Sequence, residues 1–133
     1  MKAEHIGIAV RSLAAASEVY SLILNTSPYK QEAVDSEGVN TLFFRAGDTK
    51  IELLEATRED SPIARFIEKR GEGMHHIAFE VADIRAEMER LRTAGVRLLN
   101  ETPKRGADNK WVCFLHPASC GGVLVELCQE ITE

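Results

Sequence analysis

An α+β fold built from two copies of a βαβββ module is what the sequence predicts, and three observations predict it. His5-Ile6-Gly7-Ile8-Ala9-Val10 resembles His76-Ile77-Ala78-Phe79-Glu80-Val81. Each of these segments runs straight into a helical pattern. Each helical pattern is followed by strand-like runs, the last of which carries a Glu between apolar residues: Ile51-Glu52-Leu53 and Val125-Glu126-Leu127. A module of this size has little core of its own. The eight strands are therefore expected to form one curved mixed sheet, with the two modules related by approximate twofold symmetry.

The elements follow in order. In the first strand Ile6, Ile8 and Val10 share one face and His5, Gly7 and Ala9 share the other. A helix follows, capped by Ser12, with Leu13, Ala16, Val19, Tyr20 and Ile23 at helical spacing. A weaker strand near Tyr29–Val34 precedes strands at Thr41–Arg45 and Thr49–Glu55, turned at Ala46-Gly47-Asp48. Ser61–Lys69 reads as a short helix opened by Ser-Pro and stopped by Gly71-Glu72-Gly73. The second module repeats the scheme. Asp83 caps a helix bearing Ile84, Met88, Leu91 and Ala94, with Gly95 as its stop. Strands are expected at Val96–Leu99, Trp111–Leu115 and Val123–Cys128, the last entered through Gly121-Gly122. One domain is expected over residues 1–133, with modules at about 1–58 and 73–133 and a linker helix at about 61–70.

Composition narrows the function. The 133 residues are 44% hydrophobic and 28% charged, the balance of a globular protein. Sixteen basic against 21 acidic residues give a net charge of −5, which disfavours nucleic acid as a partner. No apolar run reaches the ~20 residues that span a bilayer, so no membrane association is expected. The N-terminus lacks a secretory pattern, and a cytoplasmic location is the expectation. Three cysteines, Cys113, Cys120 and Cys128, with no CxxC pair, argue against a disulfide framework or a zinc knot.

Strand alternation isolates four side chains. His5 and His76 hold the same repeat position and point away from the helix-packed face. Glu52 and Glu126 also hold equivalent positions, each opposing two apolar neighbours. A carboxylate in such a setting is costly to bury without a compensating cation. A lone His or Glu in a strand is ordinarily solvated or hydrogen-bonded. The same two residue types at the same repeat positions point instead to a divalent metal bound by His5, Glu52, His76 and Glu126. His75 falls on the opposite face from His76. Mixed nitrogen and oxygen donors suit Co, Mn, Ni, Fe or Zn better than Ca or Mg.

The tandem βαβββ pattern with His…Glu…His…Glu resembles the vicinal oxygen chelate superfamily. More narrowly, Asp60-Ser61-Pro62-Ile63-Ala64, Gly71–Val81 (GEGMHHIAFEV) and Phe114–Leu127 (FLHPASCGGVLVEL) resemble the methylmalonyl-CoA epimerase family over nearly the whole chain. The resemblance implies metal binding by the quartet and a 1,1-proton transfer through an enolate of an acyl-CoA. Many epimerases carry Gln where this chain has Glu52. Some bacterial ones carry a glutamate, a proposed base, where this chain has Thr41 after Gly38-Val39. Thr41 cannot act as a base near neutral pH; two-sided proton exchange needs two bases, and the twofold repeat makes Glu52 and Glu126, one or both, the expected proton carriers.

The acyl-CoA is a polyanion and the chain is net negative, so local positive charge must receive it. Lys104, Arg105, Gly106 and Lys110, around the loop Gly106-Ala107-Asp108-Asn109, are the expected substrate contacts. A glyoxalase I-type lyase, which Glu52 would suit, and a non-catalytic resistance-type binding protein are the alternatives. A homodimer is expected from the resemblance.

Overall fold

The computed structural model describes residues 1–132 and divides into two compact units. One comprises His5–His75. The other comprises Met1–Glu4 and the residues from His76 onward, so strand β1 (Lys2–Ala9) contributes to both.

The His5–His75 unit contains most of β1, helix α1 (Leu13–Leu24), strands β2 (Lys30–Val34), β3 (Val39–Ala46) and β4 (Thr49–Ala56), and helix α2 (Pro62–Arg70). Its strands lie in the order β2-β3-β4-β1, with β4 and β1 parallel and the other pairs antiparallel. Alternation sends Ile8, Val10, Leu42, Phe44, Ile51 and Leu53 to the α1 side, where they pack with Leu13, Ala16, Tyr20 and Leu24. The other face is covered at one end by α2, whose Ile63, Phe66 and Ile67 pack on Ala9, Val39 and Leu54.

The second unit contains β5 (Gly73–Glu80) from His76 on, α3 (Ile84–Thr93), β6 (Lys104–Arg105), β7 (Lys110–Leu115) and β8 (Val125–Glu130). Its order is β5-β8-β7-β6, with β5 and β8 parallel and the remaining pairs antiparallel. Val81, Cys113, Leu115 and Leu127 pack against Ile84 and Met88 of α3. On the opposite face Ala78, Val112 and Cys128 form a smaller cluster with Phe114.

Two βαβββ modules and an intervening helix are thus present, as expected, and the caps are those the sequence offers. The side chains of Ser12, Ser61 and Asp83 each accept a hydrogen bond from the backbone N–H three residues on, at 3.1 Å. A second set of caps was not foreseen. Glu55 of β4 accepts from the Leu13 N–H at 2.7 Å, and Gln129 of β8 accepts from the Ile84 N–H at 2.8 Å. Each stands three residues after the Glu of its unit and ties the helix to the strand bearing that Glu.

The strand expected at Val96–Leu99 does not form. Only Leu98 makes a bridge, to Leu115. The Leu99 N–H donates to the Phe114 carbonyl and the Arg97 carbonyl accepts from the His116 N–H, both at 2.8 Å, but the Phe114 N–H goes to the Asn100 Oδ1 at 3.0 Å rather than to a backbone carbonyl. The sixth strand is instead the two-residue Lys104–Arg105, paired with Val112 and Trp111. The last strand begins later than expected, at Val125, and runs on to Glu130. No helix among the described residues is long and apolar enough to cross a membrane.

Candidate metal centre

Each unit builds the same small constellation. In the His5–His75 unit, Gly7 of β1 lies beside Glu52 of β4 in the parallel register. Glycine leaves open the space over the strand, and the imidazole of His5, two residues back, reaches the carboxylate. His5 Nε2 and Glu52 Oε1 are 3.4 Å apart, and both side chains are buried. In the other unit Ala78 of β5 lies beside Glu126 of β8. His76, again two residues back, brings Nε2 to 3.3 Å from Glu126 Oε1, and both are buried. The small residue at the middle position is what lets two long polar side chains meet on one face.

The spacing is compatible with shared coordination of one ion. A good N–H···O contact lies at about 2.9–3.0 Å. Two donors each about 2.1 Å from one ion, with an angle of 90–110° between them, lie about 3.0–3.4 Å apart. Imidazole nitrogen and carboxylate oxygen are donor types that suit a first-row divalent metal.

The aromatic neighbours repeat as well. Phe43 of β3 stands opposite Glu52, and Phe114 of β7 stands opposite Glu126. Phe114 meets the His76 ring edge-on, centroids 5.8 Å apart at 83°. Phe43 is 1% exposed, whereas Phe114 is only half-buried. Thr41 shares the Glu52 face and is fully buried, its hydroxyl donating to the Glu32 carbonyl at 3.0 Å.

His75 is separate from its neighbour. It meets Phe66 of α2 edge-on at 5.0 Å, and burial pushes its imidazole down to about 4, so it is neutral near pH 7.

The four expected substrate contacts fall in different settings. Lys104 is exposed on the His76 face, its ammonium 5.6 Å from the centre of the Phe114 ring. Arg105 alternates to the α3 face and lies over Trp111 at 5.0 Å. Gly106 sits against Val112, so closely that a Cβ there would be 2.9 Å from Cγ1. Lys110 is buried, 3.5 Å from Glu130 and 4.0 Å from Glu4. In register it lies opposite Glu130, two strand positions beyond Cys128 and four beyond Glu126. A depression of about 800 Å³ in the same unit is lined by Glu80, Glu87 and Glu130 against Lys2, a poor match for a polyanion.

Sequence reasoning missed Glu55, Gln129 and the two phenylalanines. Glu55 and Gln129 were findable, each three residues after its Glu; Phe43 and Phe114 stand at different sequence distances from theirs and only the strand register relates them.

The sequence over residues 4–114 matches the Glyoxalase/Bleomycin resistance protein/Dioxygenase superfamily. The human mitochondrial methylmalonyl-CoA epimerase is 44% identical over 126 residues, covering 94% of this chain and 72% of that protein. The ethylmalonyl-CoA/methylmalonyl-CoA epimerase of Cereibacter sphaeroides is 45% identical over 127 residues, covering 94% of this chain and 95% of that protein. Among solved structures, a Streptomyces coelicolor methylmalonyl-CoA epimerase variant in complex with 2-nitronate-propionyl-CoA superposes with a TM-score of 0.91. It is 37% identical, and the match covers 99% of each chain. The chain belongs to the Glyoxalase/Bleomycin resistance protein/Dioxygenase superfamily and, within it, to the methylmalonyl-CoA epimerase family.

Proposed function

We propose that this chain is an epimerase that interconverts (R)- and (S)-methylmalonyl-CoA by moving one proton at the carbon between carboxylate and thioester. The observation that carries the reading is the duplicated His–Glu pair, set on a small residue in each unit of a chain that resembles epimerases throughout. Glyoxalase and binding-protein readings are not favoured by these relatives.

His5, Glu52, His76 and Glu126 are the proposed ligands of one divalent ion. Their imidazoles and carboxylates suit Co, Mn, Ni, Fe or Zn. Bound there, the ion would supply Lewis-acid stabilisation for the negative charge that proton removal places on the thioester oxygen.

The remaining chemistry belongs to the chain. Inversion needs a proton acceptor on one face of the substrate carbon and a donor on the other. Glu52 and Glu126, equivalent by the repeat, are the proposed pair. Thr41, buried and engaged with a backbone carbonyl, offers no acceptor of comparable basicity. Both carboxylates are buried, which shields the reacting carbon from bulk water during transfer, and each exchanges its proton with solvent between turnovers.

We further propose that the modules at about 1–58 and 73–133 act as one domain, in a homodimer in the cytoplasm. The decisive experiment follows the substrate proton. In deuterated water the enzyme should place deuterium at C2 of methylmalonyl-CoA, and Glu126→Gln should slow this by at least about 100-fold. No exchange by the metal-loaded wild type would refute the activity. Isomerisation of a glutathione hemithioacetal would support the lyase instead.

A further inference from the structure

The two phenylalanines that stand opposite the site glutamates are equivalent in the repeat but not in exposure. Phe43, across from Glu52, is 1% exposed and packs against Tyr29, ring centres 6.2 Å apart. Phe114, across from Glu126, keeps part of its surface open. Its apolar neighbours on the same face, Ala78, Val112 and Cys128, are all buried.

Two distances put the Phe114 ring at the polar pair of its unit. Its centre is 5.8 Å from that of the His76 imidazole, and His76 Nε2 is 3.3 Å from Glu126 Oε1. Residues directly opposed on antiparallel strands hold their Cβ atoms about 4.5–5.5 Å apart, so Phe114 also adjoins Glu126 across the ladder. The Lys104 ammonium lies 5.6 Å from the ring centre, so the ring is held as well as partly exposed. The second unit thus sets an open apolar surface beside a buried imidazole and carboxylate. The first unit, with Phe43 buried, does not.

The substrate's own chemistry says which of its groups meets that surface. The reacting carbon carries a hydrogen, a carboxylate, a thioester carbonyl and an alkyl group, and only the alkyl group is apolar. The hydrogen must lie within hydrogen-bond reach of a carboxylate. Its removal leaves a planar carbon with the alkyl group in the plane, between the two faces from which the acids act. A wall that touches the alkyl group in this plane keeps its contact through inversion in either direction. We propose that Phe114 is this wall: its ring receives the alkyl substituent of the reacting carbon and limits that substituent's length. The assignment rests on the epimerase reading of the same site. Phe114 has little room to retreat from a longer chain, because Ala78, Val112 and Cys128 are packed against it.

The test follows deuterium exchange at C2 of methylmalonyl-CoA and of propylmalonyl-CoA, which differs only by a longer alkyl group, in the metal-loaded protein. The ratio of kcat/KM for the propyl to the methyl substrate does not depend on the fraction of enzyme that is folded, so it reads the wall rather than stability. Phe114→Leu should raise this ratio at least about tenfold and Phe114→Ala should raise it further, while Phe43→Leu should leave it within about twofold of wild type. An unmoved ratio in both Phe114 variants would overturn the proposal, as would an equal rise from Phe43→Leu. A wild type that exchanges no methylmalonyl-CoA would sink the epimerase reading and this assignment with it. Exchange by the wild type with an unmoved ratio in the variants would sink the assignment alone.

Discussion

Removing the carboxylate of Glu55 tests how each helix is tied to the strand that presents a site Glu. Its Oε1 accepts the Leu13 N–H at 2.7 Å, and Leu13 is 8% exposed. In Glu55→Ala that amide stays buried among Val10, Phe44 and Leu53, where water cannot readily replace the lost acceptor. The lost charge-assisted bond and the lost carboxylate at the helix N-terminus together cost about 2 kcal/mol. Unfolding entropy is about 2.1 cal/mol/K per residue, so for 133 residues this lowers Tm by about 7 °C. Glu55→Gln keeps an acceptor and loses only the charge, so about half that fall is expected. Gln129→Ala, which removes a neutral acceptor from the Ile84 N–H, should cost about 1 kcal/mol. Thermal unfolding at neutral pH, checked by urea titration, reads all three. The reasoning is refuted if Glu55→Ala stays within about 2 °C of wild type, or if Glu55→Gln falls as far as Glu55→Ala.

Gly38 has φ +64°, and a Cβ there would lie 2.8 Å from Arg58 Cζ. Gly38→Ala should therefore cost about 2–3 kcal/mol by urea titration, from left-handed strain and displacement of an arginine that donates to the Asp35 carbonyl at 2.7 Å. Adding Arg58→Ala should make the glycine replacement cheaper, and a purely additive pair would refute the contact. Cys113 and Cys128 are fully buried, and burial pushes both thiols up. Cys120 is part-exposed, so an aromatic disulfide reagent should titrate one thiol per native chain and three after unfolding.

The residues that were legible in the sequence are those whose signal is local or repeated. His5, Glu52, His76 and Glu126 stood out because a period-two strand fixes a face and the repeat supplies a second copy. Ser12, Ser61 and Asp83 were readable from residue type beside an apolar period. What failed to show depends on side chains replacing backbone, or on distant partners. Val96–Leu99 has strand-like composition and bonds β7 through Arg97 and Leu99, but the Asn100 side chain takes the Phe114 N–H that would have extended the pairing. Lys110 reads as a loop lysine until Glu4, more than a hundred residues earlier, is found beside it. Lys104 and Arg105 are adjacent and alike in sequence. Only the register with Val112 and Trp111 separates the one facing His76 from the one stacked on the far side.

The duplicated His–Glu pairs have a thermodynamic consequence that can be measured without substrate. Each unit buries a carboxylate and an imidazole among apolar residues, an arrangement that favours binding over stability. If the pairs are metal ligands, the metal-free protein should be under-stabilised, and a divalent ion should raise Tm by mass action, by about 2.7 kcal/mol at a free concentration of 100 times Kd. Glu126→Gln then acts with opposite signs in the two states. It removes a buried charge, so the metal-free variant should melt at or above the wild-type temperature. It also removes a donor, so its gain on adding Co, Mn, Ni or Zn should be much smaller. A structural role for Glu126 predicts the reverse in the first comparison, a metal-free variant that melts well below wild type. Scanning calorimetry with and without chelator distinguishes the two, and a metal-induced rise of equal size in variant and wild type would remove Glu126 from the ligand set.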